Sequence, residues 1–286
     1  MRFGTFVAID WSGAAGERHK GIAVALAHAG DAAPALVRPG HRWSRGEVAQ
    51  WLLHELPQDS LVGLDLGISL PFADFGAYFP GWDASPADAR SLWALVEQIA
   101  ANDPNLAVCS FVDHDNAAQH FRRHGGREGA LFGGGRGRFR LTERTQEAMG
   151  CRPYSNFNLV GAAQVGKSSL SGMRMLHRVG TRLPVWPIDP LPPQGSVVTE
   201  IYTTLAAIAA GRSAGRSKMR SFAELNTALG NLGSTPVPGD GAIEDHASDA
   251  LVTAAWLRRA AHRSELWAPA GLAAVARTEG WTFGAA

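Results

Sequence analysis

Thr5-Phe-Val-Ala-Ile-Asp10 is an apolar run that closes on a carboxylate and is followed at once by Trp11-Ser-Gly13. Its unbroken apolar character predicts a buried strand over 4–10. A second run, Leu61-Val-Gly-Leu-Asp65, ends the same way, and Asp245-His246-Ala-Ser-Asp249 opens a late helix. A carboxylate is costly to bury unless it is paired or holds a metal. Each of these acids alone is an ordinary strand-end or helix-start residue. Together, two such strands and an acid-rich helix start predict one shared cation site.

Between the two acid-ending strands, Gly21-Ile-Ala-Val-Ala-Leu-Ala27 reads as a strand and 35–43 as a weaker one. A helix over 45–56 carries Val48, Trp51, Leu52 and Leu56 on one face. Three neighbouring strands, a helix and a return strand predict a mixed sheet with a crossover, hence an α/β fold. After Pro71 the chain becomes rich in Gly, Pro and aromatics. Ser85-Pro86-Ala-Asp88 reads as a helix start with Ser85 as N-cap, and Leu92, Leu95, Val96 and Ile99 form that helix's apolar face. Residues 110–144 read as irregular, around Gly133-Gly134-Gly135. The expected organisation is one domain over 1–286 with an inserted loop or helical lid at about 72–157.

In the last third a strand is expected at 196–202, helices at about 204–210 and 221–229, and a long helix from 242 to 262. Ile243, Ala247, Ala250, Leu251, Ala254 and Leu257 make its buried stripe. Asp245 and Asp249 lie four apart on another face, where like charges repel and a cation would offset the repulsion. The helix dipole accounts for Asp245, but its effect fades before Asp249.

Charged residues are 19% and hydrophobic residues 45% of the 286, which is a globular composition. A formal charge of +1 gives no global attraction to polyanions, so any basic footprint is local. Cys109 and Cys151 are too few for a disulfide framework or a Cys-based zinc site, which suggests a reducing, cytoplasmic setting. Met1-Arg-Phe-Gly runs straight into a strand with no signal peptide ahead of it, and no apolar run is long enough to span a membrane. The oligomeric state is left open.

The motifs Ala8-Ile-Asp10-Trp-Ser-Gly13, Asp65…Leu70-Pro71, Glu200-Ile-Tyr202 and His246-Ala-Ser-Asp249-Ala-Leu251 resemble an uncharacterised family of predicted RNase H-like nucleases (domain-of-unknown-function family number 429). The last motif is also similar to RuvC-type resolvases. The ending Glu279-Gly-Trp-Thr-Phe-Gly284 resembles that family's C-terminal strand. Likeness is thin over 72–140, and Thr203 stands where the family often has Pro.

The resemblance implies an RNase H-like mixed sheet flanked by helices and a nuclease or phosphodiester hydrolase acting on nucleic acid with Mg2+ or Mn2+. It implies Asp10 bridging two ions, Asp65 and Asp249 each holding one, and Asp245 as a further metal-site acid. His246 would be a ligand or general base, and Glu200 an outer ligand or water-orienting residue. Two divalent ions about 3.5–4 Å apart suit phosphodiester cleavage, and carboxylates with waters suit Mg2+.

A competing motif is Gly161-Ala-Ala-Gln-Val-Gly166-Lys167-Ser168, which fits the phosphate-cradling G-x-x-x-x-G-K-S pattern. Its context is poor: Asn156-Phe-Asn-Leu-Val160 is half polar, and Leu183-Pro-Val-Trp-Pro-Ile-Asp189 carries two prolines. Lys167 is a candidate phosphate contact under either function. From Arg122 to Arg144 seven arginines face only Glu128 and Glu143, and a second basic stretch runs Arg212…Arg216-Ser-Lys218-Met-Arg220. Arg136, Arg138, Arg140 and Arg144 are therefore expected to contact a phosphate backbone, a solvated loop being the plain alternative. An actin-like or sugar-kinase-like ATPase and a catalytically silent binding protein are the remaining classes.

Overall fold

The computed structural model describes residues 2–161 and 165–286. β1 (Thr5–Asp10), β2 (Ala23–His28) and β3 (Ala35–Leu36) form an antiparallel meander. α1 (Arg45–His54) then carries the chain to β4 (Ser60–Asp65), which lies parallel to β1. Ser44 caps α1 in a reciprocal capping box with Glu47. α2 is Ala89–Ile99. Two short helices, α3 (Cys109–Val112) and α4 (Asp115–Ala118), precede a hairpin of β5 (Arg122–Arg123) and β6 (Arg127–Glu128). α5 (Leu141–Ala148) and α6 (Val165–Val179) lead to β7 (Val185–Trp186) and β8 (Val197–Glu200). The chain ends with α7 (Thr203–Ala209), α8 (Phe222–Asn231), α9 (Asp245–Ala260) and α10 (Leu272–Val275).

The mixed six-stranded sheet has the order β3-β2-β1-β4-β8-β7. Both of its faces are covered, which is why β1 reads as a continuous apolar run rather than an alternating one. Val7, Ile9, Val62 and Leu64 pack with α1, α2 and α6. Phe6, Ala8, Leu61 and Val197 pack with α7, α8 and α9 on the other face. In α2, Leu92, Trp93 and Val96 are fully buried, and burying each aliphatic side chain of this kind contributes about 1.5–3 kcal/mol.

Several expectations need correction. The third strand spans only two residues. Asp88, not Ser85, caps α2, accepting from Ser91 N at 2.8 Å, while the Ser85 hydroxyl accepts from Phe79 N. Within the 72–157 segment, Phe79, Phe111, Phe121, Phe132 and Phe157 are fully buried and continuous with the sheet's own core. α6 has no counterpart among the expected helices. Its buried face mixes Leu170, Met173 and Leu176 with Ser169, Gly172 and Arg174, whose polar groups are met by distant partners. Ser169 bridges Gly67 N and Asn156, and Arg174 binds Glu97 and the Ala107 carbonyl. At the end of the chain, Phe283 N donates to the Glu200 carbonyl at 2.9 Å and Thr282 forms an isolated bridge with Glu200.

Candidate functional site

Asp10 and Asp65 are register partners at the C-terminal ends of the parallel neighbours β1 and β4, the end at which open α/β sheets bind ligands. Side chains alternate across a strand, so Asp10 shares a face with Phe6 and Ala8, and Asp65 shares one with Leu61 and Gly63. That is the face covered by α9. Gly63 permits the close packing: a Cβ there would meet Leu257 Cδ1 at 2.9 Å and Ile201 Cγ2 at 2.6 Å.

The first turns of α9 bring two more groups to this edge. His246 Nδ1 lies 2.9 Å from Asp10 Oδ2, and Gly21 leaves room for the ring, since a Cβ there would stand 3.2 Å from its Cε1. One turn on, Asp249 is 4% exposed and its Oδ2 accepts from Lys218 Nζ. Asp65 is held most loosely. Among the described residues its oxygens meet only the Thr203 hydroxyl at 3.3 Å and the Thr203 amide at 3.4 Å.

Burial first, and the neighbouring charges after it, raise proton affinities in the cluster. Burial, and then the neighbouring Asp10 and Asp249, hold the Asp65 carboxyl well above the usual range. Burial pushes the Asp249 carboxyl up to about 6, with Lys218 working against it. The His246 imidazole is raised, first through its hydrogen bond to Asp10. Burial lowers Lys218, but Asp249, Asp10 and Asp65 outweigh it and the ammonium is raised. Acids this reluctant to ionise hold protons that a divalent cation would displace.

The cluster opens into a cavity of about 730 Å3, bordered by Asp10, Asp65 and Lys218, by Lys167 and Ser168 at the start of α6, and by Tyr154 and Tyr202. Gly13 brings the β1 turn against α6, because a Cβ there would stand 2.5 Å from Ser168 N. Among the described residues no acid lies within ion-pair distance of Lys167. Of the competing phosphate loop, Ala162-Ala163-Gln164 lie outside the described residues, and no strand of the six-stranded sheet leads into Gly161.

The other expected residues sit elsewhere. Glu200 borders the cavity but pairs in register with Leu64, one residue before Asp65, so it points to the opposite face of the sheet. Its carboxylate accepts from Ile68 N at 2.8 Å, from the Thr282 hydroxyl and from both terminal nitrogens of Arg140. Asp245, half-buried at the first position of α9, touches the cluster only by raising Asp249.

The basic loop is already neutralised. Arg140 is fully buried between Glu143 and Glu200. Arg138 is clamped on Asp74 and on the carbonyls of Pro71, Ala77 and Tyr78. Arg136 and Arg144 share Glu147. Four of the seven arginines were expected to be free for phosphate, and all four are engaged within the chain. The sequence reading missed Lys218 as a partner of Asp249, Gly63 as the device that admits α9, and Glu279, a buried acid that accepts from the amides of Phe72, Ala73 and Leu141. Lys218 and Glu279 left traces, one in a basic stretch and the other in the C-terminal motif, but neither showed its partners.

Hard carboxylate oxygens suit Mg2+ or Mn2+ in chemistry. Among the described residues, however, no three His, Cys, Asp or Glu side chains converge as a ready ligand set. Lys218 already stands as the cation on Asp249, and the His246 ring is hydrogen-bonded to Asp10. Asp10 and Asp65, side by side, are the pair that fits an ion. Compared with protein-family models, with curated proteins and with solved structures, the chain finds no match.

Proposed function

We propose that the chain is a divalent-metal-dependent nuclease or related phosphodiester hydrolase acting on nucleic acid, on an RNase H-like fold. One observation carries it: Asp10 and Asp65, side by side on parallel strands far apart in sequence, border a cavity large enough for a nucleotide unit together with Lys218, which pairs with Asp249 of the last long helix. An antiparallel meander continued by parallel strands, with acids at the ends of β1 and β4 and at the start of the last long helix, is the arrangement that the RNase H-like resemblance implies.

Asp10 and Asp65 would hold Mg2+ or Mn2+, which when bound activates water and stabilises the departing oxygen. The chain's own groups do the rest. With Nδ1–H donated to Asp10, the neutral His246 ring keeps Nε2 as the proton-accepting nitrogen. Lys167 meets a phosphate oxygen on the cavity wall. Tyr154, exposed beside the same cavity, offers a ring on which an unpaired base stacks.

The test is cleavage of a panel of single-stranded, duplex and branched DNA and RNA with Mn2+ or chelator. Wild type cleaves at least one member only with metal, and Asp10→Asn, which keeps the size and removes the charge, loses about a hundredfold or more. Absence of cleavage by wild type across the panel overturns the proposal in favour of a catalytically silent binding protein. Calorimetric titration with ATP and GTP covers the phosphate-loop alternative, for which tight binding abolished by Lys167→Ala is the required result.

A further inference from the structure

Lys218 is half exposed, but the loop that carries it to Asp249 is fastened in place. Its neighbours in the chain are fastened on both sides. The Lys218 carbonyl accepts from Arg212 Nη2 at 2.9 Å. Met219 is fully buried and its carbonyl accepts from the Ser248 hydroxyl at 3.0 Å, one residue before Asp249. The Arg220 carbonyl accepts from Ile243 N at 3.2 Å, just ahead of α9. The loop is thus stapled along the start of the helix that carries Asp249, and the staple delivers the ammonium to Asp249 Oδ2.

Lys218 borders the same cavity as Asp10 and Asp65, so its charge faces those two acids as well as its partner Asp249. Those three carboxylates bring three negative charges at most. One divalent ion and Lys218 bring three positive charges. Two divalent ions with Lys218 in place would bring five, in a cluster where Asp249 is already engaged. Mg2+ characteristically binds through one or two carboxylates, with waters and substrate phosphate completing its shell. Asp10 and Asp65 supply that number.

We propose that Lys218 is a built-in cation in the place where a second divalent ion would otherwise sit, so that the site takes a single ion on Asp10 and Asp65. This rests on the metal-dependent function proposed above. In such a site the ammonium supplies positive charge next to the phosphate without being captured from solution. A permanently tethered charge also needs no second ion to be recruited before reaction, so activity rises with metal concentration as a single-site process.

Counting bound ions tests this apart from any cleavage. Mn2+ is titrated into the full chain by calorimetry, with electron paramagnetic resonance of free Mn2+ as a second count, for wild type, Lys218→Arg and Lys218→Met. Wild type and Lys218→Arg, which keeps the charge, bind one ion. Lys218→Met, close in length but uncharged, binds two. Lys218→Gln serves in its place if the Met variant does not fold, as judged by circular dichroism. Two ions on wild type, or one ion on the uncharged variants, overturns the role of Lys218 while leaving the metal site standing. No ion on any of the proteins overturns the metal site itself, and the role of Lys218 with it.

Discussion

Two groups of acids border the same cavity, and they are built in opposite ways. Around Arg140, each carboxylate oxygen of Glu143, Glu200 and Glu279 has a donor from the chain. Around Asp10, one oxygen of Asp10 faces His246, one of Asp249 faces Lys218, and Asp65 has only the long contacts of Thr203. The first cluster ties the 72–157 segment and the C-terminus to β8. The second leaves acids whose charge the protein itself does not fully match. A saturated network holds a fold together, whereas an unsaturated one next to a cavity is open to a cation and a substrate.

The largest effect should come from breaking the saturated cluster. Arg140→Ala leaves Glu143 and Glu200 buried without their shared cation, and removing one partner of a buried pair costs about 3–5 kcal/mol. Urea unfolding should show a lower midpoint with an unchanged slope. Stability equal to wild type would mean that this cluster is not what joins the insertion to the sheet.

The pH dependence of the metal-free protein comes next, and a variant at Asp249 isolates the site's share of it. Asp249 has its folded carboxyl near 6, above the usual 3.8. A raised acid contributes stability that is present below the unfolded value and lost as pH rises through the folded one. At about 1.4 kcal/mol per pH unit, the gap amounts to about 3 kcal/mol lost between pH 4 and 6. Asp65 and His246 are raised too and act in the same sense, His246 at higher pH. Glu47, held down to about 2 by its cap and Arg18 against its burial, works oppositely and below that window. The difference between wild type and Asp249→Asn isolates the site: unfolding at pH 4, 5, 6 and 7 should show wild type falling relative to the variant. A flat difference would mean that burial does not raise the Asp249 carboxyl.

Asp65→Asn sharpens the same contrast at smaller amplitude. It relieves the repulsion from Asp10 and Asp249 while Thr203 still has an oxygen to donate to. The metal-free variant should melt at or above wild type at pH 7, by about 2–4 °C for each 1 kcal/mol relieved in a domain of this size. Its Mn2+-dependent stabilisation should vanish. A variant that melts lower but keeps the Mn2+ response would assign Asp65 to structure, with the Arg140 cluster.

How much of this was legible in the sequence follows from how local each signal is. β1, β4, β8 and α9 were legible because each is a run whose pattern the sheet or helix imposes on consecutive residues. Asp10 and Asp65 stood out as acids ending buried runs, and His246 and Asp249 as part of the acid-rich start of a long helix. α6 was not, since Ser169 and Arg174 occupy its buried face and their partners lie in other segments. The arginine loop was misjudged for the same reason. Counting nearby acids finds Glu128 and Glu143, but Arg138 is answered by Asp74, 64 residues earlier, and Arg140 by Glu200, 60 residues later. Lys218 was visible as a charge and invisible as a partner, its acid lying 31 residues on.

That misjudgement yields the smallest and most discriminating prediction. Arg136 is already committed to Glu147 and the Pro153 carbonyl, whereas Lys167 borders the cavity with no acid of the described residues within ion-pair distance. Each phosphate neutralised contributes about 0.9 to the slope of log binding constant against log salt for duplex DNA and about 0.7 for single strands. Binding of a labelled oligonucleotide, followed by fluorescence anisotropy in chelator so that no cleavage intervenes, should lose about one such increment in Lys167→Ala. Arg136→Ala should lose little of it, because its guanidinium would first have to leave Glu147. Its stability should change by less than about 1 kcal/mol, as for an exposed ion pair. Should Arg136→Ala instead take the full increment and Lys167→Ala none, the nucleic acid runs over the 136–144 loop, and the cavity beside Asp10 is not where the phosphates lie.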